Sequence, residues 1–132
     1  MIRSIVLSLL ITFAFGLTSR ADEAVDCMNT ARTQSELNSC AKTKADQALA
    51  KMTNSFQAVV CHLDGKKKQQ LEASQRAWEI FAHADCKFWG GGSASVGPMN
   101  AALCFADLAT RRATELDTWP PNAPRDAVVP CK

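Results

Sequence analysis

Six cysteines in a chain of 132 residues, Cys27, Cys40, Cys61, Cys86, Cys104 and Cys131, constrain the fold more than any other feature. In a short exported chain an even number of cysteines reads as a disulfide framework; in a reduced compartment it reads as metal or catalytic chemistry. The N-terminus decides between the two. Arg3 precedes an apolar stretch from Ile5 to Leu17, and Ser19-Arg20-Ala21 offers small residues around a cleavage point. Residues 1–21 therefore read as a secretory signal peptide. The apolar run is shorter than the roughly 20 residues of a bilayer span. The expectation is a cleaved leader, no membrane attachment afterwards, and a periplasmic or secreted domain over residues 22–132.

None of the cysteines forms a Cys-x-x-Cys pair, which argues against a thioredoxin-type motif and a zinc ribbon. Composition is that of an ordinary globular domain, 47% hydrophobic and 21% charged. Loss of Arg3 and Arg20 with the leader lowers the Lys and Arg total from 15 to 13, equal to the 13 Asp and Glu. A near-neutral domain excludes a phosphate-neutralising nucleic-acid binder and weakens long-range steering of a charged partner.

Periodicity predicts three helices. Thr33-x-x-Glu36 is a capping box. Behind it Leu37, Ala41, Ala45, Ala48, Leu49, Met52, Phe56, Val59 and Leu63 recur at helical spacing. This first helix is expected over 34–61, ended by Asp64-Gly65. The second is expected over 66–89, with Leu71, Trp78, Phe81 and Phe88 on one side, broken by Gly90-Gly91-Gly92-Ser93. The third is expected over 99–117, carrying Leu103, Phe105, Leu108 and Leu116, and Trp119-Pro120-Pro121 stops it. No strand-type alternation appears. The fold class is all-α: a small antiparallel three-helix bundle stapled by disulfides, with an extended proline-rich C-terminal tail.

An up-down-up order sets which cysteines can meet. Cys61 and Cys131 share the upper end and are expected to pair. Cys86 with Cys104 and Cys27 with Cys40 suit the lower end, although Cys27–Cys104 with Cys40–Cys86 is also geometrically open.

Candidate chemistry is sparse. His83 and Cys86 share a helix face, but an oxidised Cys86 offers no thiolate to a metal or a nucleophile pair. No nucleophile elbow, no phosphate loop and no paired carboxylates occur, so neither an enzyme nor a cofactor is implied. The glycine run reads as a helix C-cap and hinge. Lys66-Lys67-Lys68, in a helical first turn, reads as a solvated face. Arg112 lies on the apolar stripe of the third helix, at the same height as Asp46 and Trp78. The expectation is a partly buried Asp46–Arg112 pair beside Trp78 with a hydrogen bond from Gln75, a structural polar core that fixes bundle register. Phe88 and Trp89, beside the glycine run, either cap the core or anchor a partner.

The pattern resembles the N-terminal domain of the LprI-type lysozyme inhibitor family. The matching residues are Cys27 with Thr33-Gln34-Ser35-Glu36-Leu37-Asn38-Ser39-Cys40-Ala41, then Ala45-Asp46 with Leu49. They continue with Gln75-Arg76-Ala77-Trp78, Cys86, Gly91-Gly92-Ser93, Cys104, Leu108, Arg112-Ala113 and Glu115-Leu116. The chain departs from the family at Ala50, Thr53, Ala82 and Ala109, and Cys61 with Cys131 looks like an added bridge. The resemblance implies an exported, non-catalytic helical domain, and for some members inhibition of lysozyme. The alternative is a cell-envelope stress or interaction module with another partner.

Overall fold

A computed structural model describes residues 26–119. After a helical segment at 26–30 come three long helices: α1 (Gln34–Val60), α2 (Gly65–Trp89) and α3 (Gly97–Asp117). Strands are absent among the described residues, and the all-α class stands. The expected signal peptide and the tail beyond Trp119 lie outside the described residues.

Local chemistry sets each helix boundary. At the start of α1 the Thr33 hydroxyl accepts from the Glu36 amide at 3.2 Å. The Glu36 carboxylate accepts in return from the Thr33 amide at 2.9 Å and the Arg32 amide at 2.7 Å. Donors that the first turn would leave unmatched are thereby satisfied. These backbone donors hold the Glu36 carboxyl below its ordinary value, since they bind only the ionised form well. α3 starts two residues earlier than expected, at Gly97, because Pro98 fits the first turn of a helix, where no amide hydrogen is needed.

α1 and α3 run parallel, and α2 runs antiparallel to both. At one end the Asn38 side chain donates to the Ser95 carbonyl at 3.0 Å. Towards the other end Val59 and Leu116 share a core cluster with Met52, Ala109 and Ala113. α3 packs along most of α1, more lightly on α2, and α1 scarcely meets α2. Small residues explain this. Ala41, Ala106, Ala109 and Ala113 are all at most 2% exposed, so the α1–α3 backbones approach with little between them. Ala82 gives α2 an equally small buried contact. Phe56, Leu63, Leu71, Trp78 and Phe105 pack around the cluster as partly buried residues.

Two disulfides fix the lower end: Cys27–Cys40, with Cα atoms 5.7 Å apart, and Cys86–Cys104, with Cα atoms 5.5 Å apart. The other lower arrangement, with Cys27 bonded to Cys104, is excluded. Cys61 is also disulfide-bonded; Cys131, its expected partner, lies outside the described residues. The turn between α2 and α3 is tight. A Cβ on Gly97 would collide with the Gly90 carbonyl oxygen, and one on Gly90 would stand 2.8 Å from the Ala101 Cβ. Gly92 has φ +96°, a conformation that L side chains rarely adopt.

Candidate interaction surface

Polar groups of all three helices meet at Gln75, which is 5% exposed. Its amide nitrogen lies 3.2 Å from the Met52 sulfur of α1 and 3.2 Å from the Glu79 carboxylate. Its carbonyl oxygen accepts from Arg112 Nε of α3 at 3.2 Å. Arg112, with its side chain 13% exposed, also reaches Glu115 at 3.1 Å and the Ser74 hydroxyl at 3.3 Å. A polar core joining Gln75 and Arg112 is therefore present.

The expected Asp46–Arg112 pair does not form. Asp46 is exposed and binds Lys42, one turn earlier, at 2.6 Å. Equal height along the bundle does not fix azimuth. Asp46 follows buried Ala45 by about 100° of helical rotation and so turns to solvent. Trp78 packs on the core cluster, with its ring centroid 6.1 Å from that of Phe105. His83 is exposed but stacks on Phe105 at 5.3 Å.

Phe88 and Trp89 do not cap the core. They are 75% and 59% exposed, packed edge-to-face with centroids 5.5 Å apart. Phe81, expected on the same side as Leu71 and Trp78, is 54% exposed. The cause is helical phase. Leu71 and Trp78 are seven residues apart and nearly aligned, whereas Phe81 and Phe88 are rotated from them by about 60–100°.

The outward side of α2 is consequently apolar. Ala73, Ala77, Ile80, Phe81, Ala84 and Phe88 are all exposed and fall within an arc of about 100°. That arc opposes the buried Gln75, Ala82 and Cys86. Ile80, at 73% exposed, and Phe81, at 54%, mark the two edges of this face. A soluble helix ordinarily buries its one apolar stripe; α2 has two and buries one. An exposed apolar face of this kind is a candidate interaction site. Sequence reasoning found Phe88 and Trp89 but missed Ile80 and the alanines, although a helical projection of residues 73–88 separates the two stripes.

At the α2–α3 turn this face adjoins a recess of about 490 Å³, lined among others by Asp85, Trp89, Asn100, Leu103, Asp107 and Leu108. Asp107 is paired with Arg111 at 2.8 Å. The Asp85 carboxylate lies within 4.8 Å of the Cys86 and Cys104 sulfurs. Those sulfurs are bonded to each other, so this trio offers no thiolate to a cation.

A family model described as "Lysozyme inhibitor LprI" matches residues 27–116. That interval takes in both described disulfides, the capping box, the Gln75–Arg112 contact and the outward face of α2. No curated protein and no solved structure matches the chain.

Proposed function

Because this chain belongs to the LprI lysozyme inhibitor family, we propose that it is an exported, non-catalytic protein that inhibits lysozyme through the outward face of α2. The observation that carries this reading is the exposed stripe of Ile80, Phe81 and Phe88, continued by Trp89 at the helix end. The disulfides and the family fit a periplasmic or extracellular setting, and the mature domain would begin at residue 22. Among the described residues no helix is long and apolar enough to cross a membrane.

Inhibition requires the bound protein to obstruct the substrate cleft, and the end of α2 carries two exposed aromatics that can enter one. Phe88 and Trp89 supply large apolar area at the corner where α2 gives way to the glycine turn, and aromatic anchors of this kind dominate interface energetics. The turn is held firmly: the Gly97 amide donates to the Ser93 carbonyl at 2.8 Å, and the Cys86–Cys104 bridge lies beneath it. A pre-organised corner loses little freedom on binding. Asp85 in the adjoining recess suits a cationic enzyme at short range, whereas Asp107 is already matched by Arg111. The balanced overall charge gives little steering from a distance.

The test is titration of the oxidised protein against c-type and g-type lysozymes in a cell-wall clearing assay. Dose-dependent protection of the wall supports the reading. Unimpeded clearing at tens of micromolar inhibitor refutes it. A second reading, a cell-envelope module with a different partner, draws on Arg76 and Lys87, whose helical phase borders the apolar stripe and suits a less basic surface. Capture of a non-lysozyme envelope protein, lost on substitution of Phe88, would favour it.

A further inference from the structure

A second apolar concavity lies at the opposite end of the molecule from the glycine turn. It has a volume of about 410 Å³, and its walls include Val59, Leu63, Leu71, Leu116 and Trp119. It exists because α1 scarcely touches α2, which leaves the upper seam between them open. Leu63, Leu71 and the 48%-exposed Trp119 face it without a described neighbour filling the space.

We propose that the C-terminal segment, residues 120–131, occupies this cleft as a strap tied down by a Cys61–Cys131 disulfide. Four observations converge on that occupant. The described chain ends at Trp119, itself a wall of the cleft, so residue 120 starts there. Cys61, two residues before Leu63 on the opposite wall, is disulfide-bonded. The other four described cysteines are bonded to one another, which leaves Cys131 as its partner within the chain.

The composition of the segment also fits. Pro120, Pro121, Pro124 and Pro130 favour an extended conformation that loses little entropy on docking into a groove walled by aliphatic side chains and Trp119, and Ala127-Val128-Val129 supplies apolar side chains. Twelve residues reach about 37 Å when extended, ample to cross the cleft and return to Cys61. Among the wall residues Lys67 and Glu115, the latter also paired with Arg112, are opposite in charge to Asp126 and Arg125 of the segment.

The inference does not depend on the lysozyme reading. Disulfide mapping of the oxidised full chain should yield a peptide linking Cys61 to Cys131. NMR should show contacts from the Val128 and Val129 methyls to the Trp119 ring and the Leu63 and Leu71 methyls. Two variants then open the cleft by separate routes: Cys61→Ser with Cys131→Ser, and Val128→Asp with Val129→Asp, which keeps the bridge. Each should raise the fluorescence of an apolar dye such as ANS at least several-fold over the parent, with α-helical content retained. Random-coil shifts for residues 120–130 without those contacts would overturn the proposal. So would a different partner for Cys131, or equal dye binding by the parent and the Val128/Val129 variant.

Discussion

Gln75 and Arg112, on antiparallel helices, share a hydrogen bond of 3.2 Å between Oε1 and Nε. Through Gln75 that bond also links α1, whose Met52 sulfur lies 3.2 Å from the amide nitrogen. α2 has few other contacts with α1, so this junction sets how α2 sits against α1. Gln75→Ala would leave a mostly buried guanidinium without its inner acceptor. The expected loss is about 1–3 kcal/mol, seen as a lower urea midpoint at unchanged m-value. An unchanged midpoint would show that Glu115 and Ser74 suffice for Arg112.

Gly97 is the tightest point of the turn below. Gly97→Ala places a methyl group against the Gly90 carbonyl oxygen, a backbone atom that cannot rotate away. Relief requires moving α3 relative to α2 against the Cys86–Cys104 bridge, at a cost of about 1–3 kcal/mol. Gly91→Ala, whose Cβ would meet the Phe88 carbonyl at 3.1 Å, should cost less. Thermal unfolding of the two variants checks this order.

Much of this arrangement was legible in the residues. The Thr33–Glu36 box, the glycine and proline stops and the buried spacing of Ala41, Ala45, Met52 and Val59 each act over one or two turns, and local chemistry decides them. Helix order gathered Cys27, Cys40, Cys86 and Cys104 at one end but left two pairings open, and only the structure decides for Cys86–Cys104 and Cys27–Cys40. What failed was azimuth. Asp46 and Arg112 share a height, yet Lys42 lies closer to Asp46. Phe81 looked like a core residue because it is aromatic, while its phase turns it outward. Hydrophobicity alone does not distinguish a stripe meant for the core from one meant for a partner. The dominance of the α1–α3 contact was also hidden, since alanines carry a weak hydrophobic signal and allow the closest approach.

Glu36 gives the fold a pH dependence with a definite sign. Its carboxyl is held below the ordinary value of 4.5 by the Arg32 amide, the Thr33 amide and the Thr33 hydroxyl. A depressed value in the folded state contributes stability that is present above 4.5 and is lost as pH falls through the folded value. The amide resonances of Arg32 and Thr33 should therefore shift together on acidification below 4.5. Glu36→Gln, which keeps an acceptor oxygen, should abolish the shared titration without unfolding α1. A titration midpoint at or above 4.5 would contradict this account.

Association with lysozyme should depend only weakly on ionic strength. Equal numbers of basic and acidic residues in the expected mature domain give little long-range steering. The association rate should change less than about tenfold over a range of salt in which a steered complex slows far more. Stopped-flow fluorescence measures it directly, and a steep salt dependence would move the contact from the apolar face to a charged one.

The most direct measurement is calorimetric titration of lysozyme with the parent protein and with a Phe81→Ser/Phe88→Ser variant, alongside urea denaturation of both. Both rings are more than half exposed, so the account predicts unchanged stability together with affinity weaker by about tenfold or more. Equal affinities at equal stability would contradict it, because the outward face of α2 would then take no part in binding.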